Sequence, residues 1–194
     1  LVMGAGSAAF ASLRSAIIAE GPADMLLLPL LVRLATGAAE LPYQVAPGVS
    51  AASIDVMRNL DFAASRVGYV VDGDDAGIKW KKDLEAAGVE SVRIHKWPGA
   101  SALEDLLDRS FYLDSIEDFL GQEIDRSALG TGLIKTEVEK WVKVRRLKPV
   151  GPVAVAEMIL GKHESWERPV QLSAKGRRYL GDFDEWARAT VVAK

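Results

Sequence analysis

The first half of the chain alternates short apolar segments, typical of β-strands, with longer segments that have helical spacing. One of these short segments, Val67 to Val71, is apolar throughout, as expected for a strand that is covered on both faces. Because strands and helices alternate in the order β-α-β-α-β-α-β, we expect a largely parallel sheet between helices. The predicted strands are Ser15 to Ala19, Tyr43 to Ala46, Val67 to Val71 and Ser91 to Trp97.

Prolines, glycines and capping residues place the helices between these strands. Pro22 suits the first helical turn, where its missing N–H costs nothing, and Gly37 is a typical helix stop. Pro29 is expected to kink this helix, and Asp75 is expected to cap a later one. The predicted helices are Pro22 to Thr36, Ser50 to Leu60 and Asp75 to Gly88.

After Pro98 and Gly99 the pattern becomes purely helical. The fold class predicted is therefore α/β, with a mostly parallel four-stranded sheet between helices and a C-terminal helical extension. We divide the chain into a linker from an upstream region (residues 1–14), an α/β core (15–99) and the helical extension (100–194). The helices predicted in the extension are Ala102 to Leu107, Leu113 to Leu120, Ile134 to Arg146, Val153 to Gly161 and Ser173 to Ala189.

Composition excludes several classes of function. The absence of cysteine excludes disulfides, thiolate zinc sites and cysteine nucleophiles, and it suits a reducing cytoplasm. A net charge of -3 argues against a protein that holds nucleic acid by charge alone, so local basic patches and bound cations would be needed. The most apolar run, Met25 to Leu34, contains Arg33 and is far shorter than the roughly 20 residues that span a bilayer.

Acidic residues follow two of the predicted strands. Glu20 ends the first strand and Asp24 lies in the first turn of the next helix, so both side chains can face one crevice. Taken alone, Asp24 would equally suit a favourable interaction with the helix dipole, with Glu20 merely exposed.

The third strand ends in Asp72, Gly73 and Asp74. Residues two apart on a strand share a face, so Asp72 and Asp74 should project together, with Gly73 leaving the space between them open. Close carboxylates repel each other unless a cation neutralises them, and oxygen ligands of this kind suit Mg²⁺. An Asp-Gly turn with Asp75 as a helix cap would account for only one of the three aspartates. We therefore predict a divalent-metal site at this edge of the sheet.

These motifs resemble a known module. A strand ending in Glu-Gly with an acid four residues on, followed by a hydrophobic strand ending in Asp-x-Asp, is similar to a Toprim domain. The resemblance covers residues 15–97 and implies a Rossmann-like fold that acts on nucleic-acid phosphates. The run from Glu20 to Pro29, and Leu103 to Asp108 after the fourth strand, look most like the OLD-family (overcoming lysogenization defect) nucleases.

OLD-family nucleases join an N-terminal ATPase to a C-terminal Toprim domain. No Gly-x-x-x-x-Gly-Lys-Ser/Thr phosphate loop occurs in this chain, so the resemblance implies an ATPase upstream of Leu1. It also implies a cytoplasmic defence or repair protein that has DNA as its partner, is compatible with a homodimer and has no membrane association. Two readings stay open beside the nuclease: a primase-like Toprim domain that synthesises RNA, and a non-catalytic Toprim interaction module.

The mechanism that the resemblance implies is two-metal hydrolysis of a DNA phosphodiester with Mg²⁺ or Mn²⁺. Glu20, Asp72 and Asp74 would be the central ligands, and Asp24 and Glu104 would hold the second ion. Glu104 would equally suit the exposed face of an amphipathic helix. Asp105 and Asp108 are interpreted as surface charges.

The resemblance also implies a late lysine near the metals. We assign this role to Lys148, where it would stabilise charge growing on the phosphate. Basic residues beside it and on the helix after Asp75 are predicted to contact the nucleic acid, although the basic strip beside Lys148 would equally suit a solvated face. The predicted contacts are Lys79, Lys81, Lys82, Arg145 and Arg146.

Overall fold

The structure, a computed structural model, describes residues 15–48 and 66–192. Its strands are Ala16–Ala19 (β1), Gln44–Pro47 (β2), Val67–Val71 (β3) and Ile94–Lys96 (β4). They form one four-stranded sheet in the order β2-β1-β3-β4, and every neighbouring pair is parallel. The predicted α/β class and parallel sheet are thus confirmed. The predicted linker (residues 1–14) and the helix from Ser50 to Leu60 lie outside the described residues.

Helices surround the sheet and make up most of the second half of the described chain. The first of them begins at Pro22 and stops before Gly37, as predicted, and it continues through Pro29. The α-helices are Pro22–Thr36 (α1), Asp75–Ala86 (α2), Arg109–Leu120 (α3), Ile134–Val144 (α4), Pro152–Glu164 (α5) and Ala174–Val191 (α6). Short 3₁₀ helices span Ser91–Arg93 (η1), Leu103–Leu106 (η2) and Arg126–Ala128 (η3).

Two predicted elements take a tighter form than expected. The fourth strand was predicted from Ser91, but its first three residues form η1, where the Arg93 guanidinium donates two hydrogen bonds to the Val67 carbonyl (2.9 and 2.6 Å). A side chain therefore satisfies the carbonyl at the start of β3. The helix predicted from Ala102 to Leu107 is the 3₁₀ helix η2, because the chain is extended again at Leu107, which forms a bridge with Leu172.

The sheet is buried on both faces. Ile17, Ala19 and Val70 point into a large core shared with the C-terminal helices, whereas Ile18 and Tyr69 point into a smaller core. Helix α2 packs against the smaller-core face through Leu84. On the other face, α1 packs against α5 and α6, and α6 also contacts β1 and β3. The helices after residue 99 therefore complete the main core. No helix within residues 15–48 and 66–192 is long and apolar enough to cross a membrane.

Gly73 lies beneath the segment that follows β4, instead of leaving open space between two aspartates. Its N–H donates to the Ser101 carbonyl at 2.7 Å, and a Cβ at this position would lie 2.0 Å from the Gly99 carbonyl oxygen. Since that oxygen belongs to backbone, relief would require the loop to move. The end of β3 and the segment leading to η2 are thereby locked together.

We expect Gly73→Ala to lower the free energy of unfolding by about 3 kcal/mol, because its methyl group collides with backbone atoms of Trp97, Gly99 and Ser101. Urea unfolding monitored by circular dichroism measures the change. The matched control is Gly181→Ala in α6, where an added Cβ meets no atom within 4 Å. That control should stabilise the helix by about 0.5–1 kcal/mol. Equal stabilities for the two variants would show that the loop accommodates the methyl group.

Candidate metal centre

The candidate site lies where the chain order of the sheet reverses. Strand β1 pairs with β2 on one side and with β3 on the other, which opens a crevice at their carboxyl ends. Glu20 directly follows β1 and Asp72 directly follows β3. The Asp72 N–H donates to Glu20 Oε2 at 3.3 Å, so the two acidic segments are in contact. The sequence prediction that these two residues meet at one sheet edge agrees with this arrangement.

Asp24 faces the same crevice from the first turn of α1. Its Oδ2 accepts a hydrogen bond from the Gly21 N–H at 2.7 Å, which satisfies one free donor at the start of the helix. Asp24 also lines the pocket beside Glu20, so the capping role and the pocket role occur together. The dipole interaction considered from sequence is therefore present but does not remove Asp24 from the site.

Asp74 is held differently from its neighbour Asp72. It is the N-cap of α2, and its Oδ1 accepts from the Gly77 N–H at 2.9 Å. The expectation that Asp75 caps this helix is therefore wrong, because Asp75 is already its first helical residue. Asp74 is not among the residues that line the pocket, although its charge raises the pKa of Glu20 and of Asp72.

The acidic side chains line a pocket of about 230 Å³, together with a positively charged side chain. Glu104, at the second position of η2, forms part of its wall, as the sequence resemblance implied. The cation is Lys135, the second residue of α4, and the sequence prediction missed it. A lysine in the first turn of a helix faces the positive end of the helix dipole. That unfavourable placement is the sequence feature by which Lys135 could have been found.

Burial and mutual repulsion raise the pKa of every acid in the pocket. Burial, followed by the charges of Glu20, Asp24 and Glu104, raises the pKa of Asp72 to about 9. Burial raises the pKa of Asp24 to about 6, although the Gly21 N–H opposes the change. Burial also raises the pKa values of Glu20 and Glu104. The four carboxyl groups are therefore too buried and too close together to be ionised all at once at neutral pH unless positive charge compensates them.

Lys135 offsets part of this charge. Burial lowers its pKa, but the charges of Glu104 and Asp72 outweigh burial, so the pKa is raised overall and the side chain is an ammonium group. In turn the ammonium group lowers the pKa of Glu20, Asp24 and Glu104, against the larger effect of burial. One ammonium group among four acids leaves a net attraction for further cations.

The donor chemistry of the pocket suits a hard divalent cation. Its acidic lining consists of carboxylates, the ligands that Mg²⁺ and Mn²⁺ prefer. Within the described ranges, no three His, Cys, Asp or Glu side chains are already arranged as a group that could hold an ion. Binding would therefore require carboxylates to turn toward a common point. The raised pKa values indicate why that movement would be favourable, because a bound cation offsets the repulsion between the carboxylates.

We expect the metal-free protein to lose stability as the pH rises from about 6.5 to 9. The Asp72 carboxyl keeps its proton to about pH 9 in the folded protein, whereas an unfolded aspartate loses it near pH 4. Between these values the folded state binds more protons, so each pH unit lowers the free energy of unfolding by at most about 1.4 kcal/mol through this one group. Thermal unfolding in EDTA should show a Tm that falls by roughly 5 °C over this range.

At lower pH, His95 changes the stability of the folded protein in the opposite direction. Burial lowers its pKa to about 4, so its stabilising effect, present above pH 6.5, is lost as the pH falls toward 4. Between pH 4 and 6.5 the effects of His95 and Asp72 oppose each other, so the loss of stability caused by Asp72 is best measured above pH 6.5. A Tm that rises steadily up to pH 9 in EDTA would show that Asp72 is already ionised at neutral pH.

The remaining predicted residues lie on the surface. Lys148 is exposed after α4 and does not line the pocket, so Lys135 is the lysine that the structure brings to the acids. Lys81 pairs with Glu85 across one turn of α2 (3.8 Å). The Arg145 guanidinium lies 4.6 Å from the centre of the Trp141 ring. The others, exposed and at the surface, are Lys79, Lys82 and Arg146.

Comparisons with known proteins give no further information about the site, so we interpret it from its geometry. No protein-family model matches the chain, and neither the curated proteins nor the solved structures contain a significant match. The Toprim and OLD-family resemblance therefore stays a prediction from the sequence motifs. Any function proposed for this chain has to explain the acidic pocket at the β1/β3 crevice and the lysine that lines it.

Proposed function

We propose that this chain is a metal-dependent nuclease domain that hydrolyses DNA phosphodiester bonds in the acidic pocket. The observation that carries the proposal is the convergence of four carboxylates and one ammonium group at the carboxyl ends of adjacent parallel strands. Structural ion pairs normally balance their charges, whereas this pocket has an excess of acids whose pKa values are raised. Sites of this composition hold divalent ions that act on phosphate groups.

Each residue of the pocket has a distinct part in this proposal. Glu20 and Asp72 would be the central ligands, and Asp24 and Glu104 would complete the site for a second Mg²⁺ or Mn²⁺ ion. Bound ions would supply an activated water and positive charge for the leaving oxygen. Lys135 would donate hydrogen bonds to a non-bridging phosphate oxygen and stabilise the charge that develops there. Asp74, by capping α2, would hold the loop that carries Asp72.

DNA as the substrate rests on the sequence resemblance and on basic residues near the site. Helix α2 starts at the same sheet edge as the pocket, and its exposed Lys79 and Lys82 are suited to phosphate contacts. The net charge of -3 makes such local contacts and the bound ions necessary. We extend the proposal to the wider context that the resemblance implies: an OLD-like ATPase-nuclease acting in the cytoplasm, able to form a homodimer.

The test uses the purified 194-residue chain. Calorimetric titration with Mn²⁺ and Mg²⁺ should show saturable binding, and incubation with supercoiled plasmid and either ion should produce nicked circles that EDTA prevents. Single-stranded RNA and ribonucleotides with a DNA template are tested in parallel. No metal binding together with no nicking would refute the proposal, and incorporation of ribonucleotides would favour the primase-like alternative.

A further inference from the structure

Helix α4, which carries Lys135, has no capping side chain of its own. Its N-cap position is Leu133, which has no side-chain acceptor for the free N–H groups at the helix start. The acceptor comes from elsewhere in the chain: Asp105 Oδ1 accepts from the Ile134 N–H at 3.0 Å, across 29 residues. The beginning of α4 is thus attached to the 3₁₀ helix η2.

The second oxygen of the same carboxylate holds η2 itself. Asp105 Oδ2 accepts from the Ala102 N–H at 3.0 Å and closes the 3₁₀ turn. The residue next to Asp105 is Glu104, and the residue next to Ile134 is Lys135; both line the acidic pocket. One partly buried carboxylate therefore connects the segment that carries a pocket acid to the segment that carries the pocket lysine. The expectation that Asp105 is a surface charge is wrong for this reason.

We propose that Asp105 is a positioning residue that keeps the Lys135 ammonium group in the acidic pocket. The proposal rests on the function proposed above for what Lys135 does there. A lysine in the first helical turn is disfavoured by the helix dipole, and a carboxylate at the same helix end offsets that disadvantage. Without Asp105 the first turn of α4 loses its acceptor, and the long Lys135 side chain can turn toward solvent.

The variant is Asp105→Ala, and the chain provides a closely matched control. Asp108 also accepts hydrogen bonds from two backbone N–H groups, those of Ser110 and Phe111 (2.9 and 3.0 Å), and it caps α3 outside the pocket. Asp105→Ala and Asp108→Ala therefore each remove an acceptor of two backbone hydrogen bonds. We expect similar losses of Tm, so any difference between the two variants reports on the pocket.

The first measurement is independent of metal binding and of nuclease activity. Both variants and the original chain are acylated with a limiting amount of an N-hydroxysuccinimide ester, and the labelling rate of each lysine is read by peptide mass spectrometry. Asp105→Ala should raise the rate at Lys135 at least about threefold, because a side chain that has turned out of the pocket is more accessible to the ester. Lys140, exposed on the same helix, serves as the internal reference. Equal Lys135 rates in both variants would overturn the proposal.

The second measurement is plasmid nicking at saturating Mn²⁺ in a double-mutant cycle with Lys135→Met. Asp105→Ala should lower the rate about tenfold in the original chain and by less than about twofold when Lys135 is already Met. Its Kd for Mn²⁺, by calorimetry, should stay within about threefold, since the pocket acids remain. Additive losses, or a collapse of Mn²⁺ affinity, would mean that Asp105 acts on the fold or on Glu104 instead. A chain that never nicks refutes the proposed function, while the labelling rates still decide the role of Asp105.

Discussion

Asp72→Asn is expected to abolish plasmid nicking and, in the absence of metal, to make the protein more stable. The amide is a poor metal ligand, so the nicking rate should fall at least about 100-fold and stabilisation by Mn²⁺ should largely disappear. Stability rises because Asp72 is buried beside Glu20, Asp24 and Glu104. Burial has the largest effect and the charges of these acids come next, and together they raise the pKa of Asp72 to about 9. Folding at neutral pH forces this carboxyl to take up a proton that it would release in the unfolded chain, and replacing it with an amide removes that free-energy cost.

The expected gain is about 5 °C in Tm at pH 8 in EDTA, and the slope of Tm against pH should become flatter. Asp125→Asn is the control, since hydrogen bonds from Ser127 lower the pKa of this exposed carboxyl. That control should lower or leave unchanged the metal-free Tm and should retain nicking. Loss of nicking combined with a lower metal-free Tm for Asp72→Asn would indicate a structural aspartate and contradict the site assignment.

Lys135→Met is expected to lower the nicking rate about 100-fold at saturating metal, the effect of removing one donor that stabilises developing charge. Met keeps an unbranched, apolar side chain in place of the lysine's aliphatic part, and the ammonium group is lost. Metal binding should persist and become somewhat tighter, because a positive charge among the ligands opposes a divalent cation. Nicking at several Mn²⁺ concentrations, beside calorimetric Kd values, separates the two effects.

Two lysines serve as comparisons for this variant. Lys140, on the same helix, pairs with Glu137 at the surface (2.8 Å), and Lys140→Met should leave the nicking rate within about twofold. Lys148→Met addresses the residue that sequence reasoning selected. If Lys148→Met loses activity and Lys135→Met does not, the pocket lysine has no role in the reaction and the sequence-based assignment is preferred.

Local sequence patterns predicted the ends of a helix or strand correctly where those ends depend on the element's own residues. Helix α1 has its predicted ends because Pro22 suits a first turn and Gly37 a stop, and β3 has its predicted ends because it is a continuous apolar run. Acidic residues that directly follow two parallel strands can also be predicted to lie together, because parallel strands bring their carboxyl ends to one edge of the sheet. Glu20 and Asp72 needed no further information than their positions after two apolar segments.

Contacts between distant segments account for what the sequence did not predict. Asp74 and Asp75 were both possible helix caps, and only the path of the backbone at Gly77 selects Asp74. Lys135 reaches the acids because Asp105 attaches its helix to η2, a hydrogen bond across 29 residues that no local pattern encodes. Lys148, chosen by its position relative to a family motif, lies on the surface instead. The arrangement of side chains in the pocket is therefore the part of the site that depends on tertiary structure.

The last helix, α6, supports the segment around η2, and this support affects whether the sheet can be separated from the helical half of the chain. Gly176 of α6 packs so closely on η2 that a Cβ would lie 1.9 Å from the Leu106 carbonyl oxygen. The preceding residue, Lys175, donates from its Nζ to the buried Ser101 Oγ at 2.7 Å. The wall that carries Glu104 is thus supported from outside by residues more than 70 positions away, none of which lines the pocket. We therefore expect that the sheet and its acids, cut off from the last helix, would not keep the pocket in its present form.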